Sequence, residues 1–170
     1  MVFEDYSPMR VLISFHSKTG RTESVTKQIS EVLTKSNHEI VMHRVLPRRV
    51  MKAHRYNKDG KDIELVEPVV DLNDFDVVFI GTPVWNFCPS PIILSYLRQL
   101  TNVKGKSFVI FSTCTGLPGT TLKRMANILA VKGGKVIGSL TIKSIFDLDE
   151  EKLQIVKQFV EKLFASVDVL

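Results

Sequence analysis

Cysteine is scarce. The two present, Cys88 and Cys114, form neither a C-x-x-C pair nor a metal-ligand spacing, which excludes a disulfide framework and predicts a reducing, cytoplasmic setting. No N-x-S/T acceptor site is present, so nothing argues for secretion. No apolar run approaches the roughly 20 residues that a membrane span requires. The first ten residues, with Glu4, Asp5 and Pro8, are unlike the basic and apolar start of a secretory signal. The four histidines (His16, His38, His43, His54) share no metal-binding spacing, and tryptophan occurs once, at Trp85. Repeats and low-complexity tracts are also lacking. What remains is 170 residues, 44% of them apolar, enough for one self-sufficient core.

The charge is unevenly spread. Net charge is +5, and Arg44, Arg48, Arg49, Lys52, Arg55, Lys58 and Lys61 face only Asp59 within their stretch of the chain. This segment reads either as a docking patch for an acidic partner or phosphate-bearing ligand, or as a solvated basic loop. Nucleic acid is not expected, because Tyr56 alone interleaves the charges and no nucleic-acid motif is matched.

Strand-length apolar runs recur as VLISF (11–15), EIVMHRV (39–45), VVFI (77–80), SFVIFS (107–112) and VIGSLTI (136–142). Helical spacing fills most of the gaps. Val25, Ile29, Val32 and Leu33 form one stripe; Ser90 and Pro91 suit the cap and first turn of a second helix. Leu122, Met125, Ala126 and Leu129 share a face of a third, which Gly133-Gly134 stops. Asp147 with Glu150 reads as a capping box for a fourth, with Leu153, Val156, Phe159, Val160 and Leu163 inward. Strands alternating with helices predict an α/β fold, a doubly wound parallel sheet of five strands in three layers. Residues 46–70 are expected to be an irregular basic crossover with a short helix or none.

Ligands of such sheets bind beyond the carboxyl ends of the strands. Three loops there are unusual. HSKTGRT (16–22) joins hydroxyls and a glycine to a helix start, which suits a phosphate monoester or, more simply, a hydroxyl-rich cap. Trp85, in GTPVWNFCPSP (81–91), either stacks on a planar ligand or folds back over the sheet end. STCTGLPGT (112–120) allows close backbone approach to a ring edge, or is a plain turn. Competing motifs fail. There is no G-x-G-x-x-G, Gly105-Lys106-Ser107 leads into a strand, and the third strand ends in Gly81-Thr82 with no aspartate. Neither cysteine has an arginine six positions on, as a cysteine-phosphatase loop would need.

Taken together, these motifs resemble the flavodoxin superfamily almost end to end. Ser17 through Thr22 match its phosphate-loop pattern S/T-x-T-G-x-T, while DFDVVFIGTPVW (74–85) and SFVIFSTCTG (107–116) are similar to its third and fourth strands with their loops. The resemblance implies a single domain over 1–170, strand order 2-1-3-4-5, the short-chain form, and noncovalent FMN. Ser17, Thr19, Gly20 and Thr22 would hold the phosphate, with Lys18 and Arg21 at positions the pattern leaves free. Thr82, Pro83, Val84, Trp85, Asn86 and Phe87 would line the ribityl chain and one ring face. Thr113, Cys114, Thr115 and Gly116 would meet the pyrimidine edge. Neither a catalytic side chain nor a metal is implied.

Two departures shape the expectation. Electron-carrier flavodoxins are typically acidic, whereas this chain is basic, and residues 112–120 lack the aromatic that commonly covers the second flavin face. That face is then open to a substrate or to a partner subunit in a homodimer. The expected function is an FMN-dependent oxidoreductase working with NAD(P)H, a quinone or a protein redox partner. The alternatives are a one-electron carrier and, in another class, a flavin-free binding module acting through residues 44–61. Cys88 and Cys114 fall in the proposed flavin loops, as redox-active thiols or as small buried residues.

Overall fold

Successive side chains on a strand point to opposite faces, so a strand apolar at every position must be covered on both. The computed structural model describes residues 7–61 and 63–167, and Glu4 and Asp5 of the N-terminal reading lie outside them. Its parallel strands are β1 (Arg10–Phe15), β2 (Glu39–Arg44), β3 (Val77–Trp85), β5 (Ser107–Cys114) and β6 (Lys135–Lys143). A two-residue strand, β4 (Cys88–Pro89), folds back antiparallel on the end of β3. The order is β2-β1-β3-β5-β6, with β4 off the path. Counting parallel strands alone, this is the expected 2-1-3-4-5.

The helices are α1 (Arg21–Lys35), α2 (Pro91–Gln99), α3 (Thr121–Val131) and α4 (Glu150–Val167). Leu12, Val78, Ile80, Phe108 and Ile110 face α2 and α3, meeting Ile92, Ile93, Tyr96, Met125 and Leu129. Their neighbours Val11, Ile13, Phe79, Val109 and Phe111 face the other way, against Val25 and Ile29 of α1 and Val156 and Val160 of α4. Each large apolar side chain so buried contributes about 1.5–3 kcal/mol. Leu153, Phe159 and Leu163 flank the α4 stripe half-buried.

The caps follow the sequence closely at one helix and depart from it at another. Ser90 caps α2, its hydroxyl accepting from the Ile93 N–H, with Pro91 in the first turn. The capping box expected at Asp147 and Glu150 is displaced: Asp149 Oδ1 accepts from the Lys152 N–H at 3.0 Å. The reason lies upstream. Ser144 Oγ donates to the Phe146 carbonyl, folding 144–147 into a turn before the helix begins.

The basic crossover holds a single 3₁₀ turn, Ala53–Arg55. Its ends are clasped by Arg48 N–H to Glu64 O (2.8 Å) and Val66 N–H to Leu46 O (2.9 Å). Tyr56 and Ile63 are buried, and Ser95 Oγ of α2 donates to the Ile63 carbonyl at 2.8 Å. The crossover is therefore the outer cover of α2, which is buried at every position from Pro91 to Leu97. Among the described residues no helix is long and apolar enough to cross a membrane.

Candidate cofactor-binding site

The chain leaves β1 for β2 on one side and returns to β3 on the other, so the switch in strand order falls between the carboxyl ends of β1 and β3. Loop 16–20 fills that point. Gly20 caps α1 with φ +89° and no side-chain hydrogen bond, so the first-turn N–H groups carry no cap. Nothing lies within 4 Å of where a Gly20 Cβ would stand. An uncapped helix start beside open space fits an anion. The nearby carboxylate is neutralised: Glu23 pairs with Lys27 at 3.1 Å and Arg44 at 3.2 Å.

Ser17 and Thr22 lie beneath the loop surface at 4% and 1% exposure. Ser17 Oγ accepts the Gly20 N–H at 3.1 Å, which leaves its own proton to donate. Thr22 Oγ1 and Thr113 Oγ1 share a hydrogen bond at 2.7 Å. One proton is used in that bond, so one stays free, and the bond joins loop 16–22 to the loop after β5. Thr19 and Lys18 are exposed. The Lys18 ammonium stands 5.7 Å from the Trp85 ring centroid, a cation–π distance. Arg21 points elsewhere, Nη1 donating to the Ser144 carbonyl at 2.8 Å and bracing the loop to the end of β6.

Trp85 and Cys88 pair across a hairpin whose two central residues, Asn86 (φ 54°) and Phe87 (φ 64°), are both left-handed. That is the backbone pattern of a type I′ turn. Trp85 is half-buried, with its ring 5.7 Å from His16 edge-on and 6.0 Å from Tyr56. Thr82 is fully buried, and its hydroxyl donates to the Pro83 carbonyl while accepting the Ser90 N–H at 3.0 Å. It shapes the hairpin from below. Pro83 and Val84 are half-buried, whereas Asn86 and Phe87 are exposed. The Phe87 carbonyl accepts the Thr120 N–H at 2.9 Å, tying the hairpin to the loop after β5.

In that loop Thr113 and Cys114 are buried, while Thr115 and Gly116 are exposed. Burial pushes the Cys114 thiol above its usual pKa, against a smaller opposing pull from Lys143. Its Sγ donates to the Gly116 carbonyl at 3.4 Å. Cys88 is half-buried, with Arg124 Nη1 donating to its Sγ at 3.1 Å. Both thiols are free. His16 is a packed residue: Nδ1–H donates to the Val45 carbonyl at 2.9 Å. Burial holds its pKa below the ordinary value, the Val45 bond raises it less, and Arg44 and Lys18 lower it further.

Sequence reasoning missed three contributors. Ser144 anchors Arg21, Arg44 Nη2 donates to the Ser17 carbonyl at 3.1 Å, and Tyr56 backs Trp85. Arg44 and Tyr56 belong to the segment marked only for its charge. Ser144 carried no signal, since its part is played by a backbone carbonyl.

Fold and site together define a doubly wound α/β protein with an uncapped helix start and a half-buried tryptophan at its switch point. The family model for flavodoxin matches residues 10–147, and the chain belongs to the flavodoxin family. Membership implies a flavin cofactor, and the uncapped start of α1 fits the phosphate of one. No curated protein matches the chain. Among solved structures it is similar to oxidised flavodoxin 1 of Bacillus cereus, at 16% identity and TM-score 0.67, over 92% of this chain and 97% of that one. It is also similar to two-electron reduced Megasphaera elsdenii flavodoxin, at 17% identity and TM-score 0.61, over 89% and 98%. A third similarity is to the rubredoxin:oxygen oxidoreductase of Desulfovibrio gigas, at 15% identity and TM-score 0.65, covering 94% of this chain but 37% of that one.

Proposed function

We propose that the protein is an FMN-dependent oxidoreductase exchanging reducing equivalents with NAD(P)H, a quinone or a protein redox partner. The observation that carries the flavin reading is the uncapped, unobstructed start of α1, tied through Thr22 and Thr113 to the loop that would meet the ring. The N–H groups of the 18–22 turn, with the hydroxyls of Ser17, Thr19 and Thr22, hold the phosphate. Pro83 through Phe87 border the ribityl chain and one ring face, with Trp85 stacking, while Thr113 through Gly116 hydrogen-bond the pyrimidine edge. Bound FMN supplies the one- and two-electron chemistry, and the protein supplies binding and orientation.

The lean toward an enzyme rests on charge and on the loop after β5. The chain is basic at +5. Residues 115–117 are exposed and include no ring to cover the second flavin face. Exposed Phe87, Leu117, Ile145 and Phe146 at the same sheet edge suit the approach of an apolar substrate or partner.

The test begins with the visible spectrum of the purified protein and an FMN titration followed by quenching of Trp85. A colourless protein with no quenching overturns the flavin reading. Steady-state NAD(P)H oxidation with a quinone acceptor then tests the enzyme reading. Absence of turnover in an FMN-loaded protein that titrates in single-electron steps makes it a carrier instead. Trp85→Ala is expected to weaken FMN binding by about 1 kcal/mol beyond lost area, measured by quenching of the flavin's own fluorescence because the variant carries no tryptophan.

A further inference from the structure

A cleft of about 780 Å³ opens between the basic crossover and the Trp85 hairpin. Ala53, His54, Tyr56 and Lys58 form one wall. Val84, Trp85, Asn86, Cys88, Pro89 and Pro91 form the other, and Arg124 reaches in from α3. The volume is that of a small-molecule site. No residue of loop 16–22 or of 113–116 lines it, so it shares only the hairpin with the proposed cofactor cradle.

Its chemistry is one-sided. The aromatic rings of Tyr56 and Trp85 and the two prolines supply apolar surface, and every ionisable nitrogen-bearing side chain in the wall is basic or neutral. No carboxylate lines the cleft. Elsewhere in the crossover Arg44 pairs with Glu23, Arg48 with Glu64 and Lys61 with Asp59, while Arg49, Lys52 and Arg55 lie outside the lining of the cleft. Lys58 and Arg124 have no acidic partner among the described residues, and the side-chain hydrogen bond that Arg124 makes is to the Cys88 sulfur. Two uncompensated cations beside two aromatic rings form a site for a planar ring that bears a negative charge.

We infer that this cleft binds a planar aromatic anion, a ring bearing carboxylate, sulfonate or phosphate, at a site separate from the cofactor cradle. Lys58 and Arg124 hold the anion, and Tyr56 and Trp85 contact the ring. The inference goes beyond the flavin reading and does not depend on it, since the cleft lacks the phosphate loop. It also gives the basic segment a ligand of stated class.

Calorimetric titration of the full chain with 2-naphthalenesulfonate, and with the neutral naphthalene-2-sulfonamide, tests it. The sulfonate is expected to bind one per chain, at least tenfold more tightly than the sulfonamide. Lys58→Gln and Arg124→Gln are each expected to weaken the sulfonate roughly tenfold, as loss of a charged hydrogen bond does, and to leave the sulfonamide unchanged. Lys58→Gln changes a solvent-facing residue, so it keeps the test intact if Arg124→Gln fails to fold. The same titration is repeated with saturating FMN, and the sulfonate is expected to bind still. Equal affinity for the two probes, no effect of either charge removal, or no binding at all overturns the inference. So does abolition of sulfonate binding by FMN, because the cleft would then belong to the cofactor. Failure of FMN itself to bind, with the sulfonate result unchanged, removes the flavin reading alone.

Discussion

A methyl group added at Gly81 would overlap the ring of Phe111, which is 1% exposed and enclosed by its own layer of the core. The ring lies across β3 because Gly81 and Phe111 are register partners on β3 and β5. Gly81→Ala is expected to lower the unfolding free energy by about 1–3 kcal/mol, the usual cost of overpacking, read from urea midpoints. Gly20 is a different case. A side chain there meets open space, and only its left-handed backbone at φ +89° resists substitution. Gly20→Ala is expected to cost about 1–2 kcal/mol of stability from that strain, and to weaken FMN binding about tenfold by moving the first-turn N–H groups. An unchanged FMN affinity would argue against the phosphate role of this turn. Gly20 was legible in the sequence because its neighbours form a local pattern. The need for Gly81 was not, since the ring that requires it is thirty residues away.

Elements read well where their signals are local. The three central strands announced themselves as apolar runs because both faces are buried, the edge strands β2 and β6 as more mixed ones, and Ser90-Pro91 marked the start of α2 correctly. Ser90→Ala is expected to cost about 1 kcal/mol in thermal or urea unfolding, the value of an N-cap, since Ile93 N–H loses its acceptor. The capping box at Asp147 misread because the residues before it form a turn of their own, held by the Ser144 hydroxyl, which delays α4 to Glu150. The crossover was legible as irregular and basic, but its task was hidden. Nothing in residues 46–66 taken alone says that they cover α2, although the unbroken apolar surface of PIILSYL implies that something must. Tyr56 is the anchor, buried at 6% exposure with its hydroxyl accepting the Met51 N–H at 2.8 Å. Tyr56→Ala is expected to cost about 3 kcal/mol, as truncation of a buried aromatic does, and to lower FMN affinity by withdrawing the ring behind Trp85.

At the scale of the whole molecule, two buried histidines couple stability to pH. His16, beneath the phosphate loop, and His43, on β2 against Tyr96, are 6% and 8% exposed. Burial holds both pKa values below the ordinary one, with Glu67 opposing the shift at His43. In the unfolded chain a histidine titrates near pH 6.5. Between that value and the lower folded values the unfolded chain binds more protons, so unfolding stability rises with pH across the window. The contribution is full above about pH 6.5 and is lost as pH falls through the folded values. The urea midpoint is therefore expected to be lower at pH 5.5 than at pH 7.5, a window chosen to lie above most carboxylate titration. A His16→Asn, His43→Asn double variant is expected to flatten this slope, because asparagine offers an N–H to the Val45 carbonyl without a proton to gain. FMN binding adds a further consequence. The His16 ring stands edge-on to Trp85 at 5.7 Å and donates from Nδ1 to the Val45 carbonyl, while its backbone N–H bonds Gly81 O whatever the charge on the ring. Protonating the ring places a charge at the edge of the Trp85 shelf, so FMN affinity is expected to fall as pH falls over the same window and to stop doing so in the double variant. A midpoint that rises toward acid, or an FMN affinity that ignores pH in the wild-type chain, would show that these histidines are not what links the core to the site.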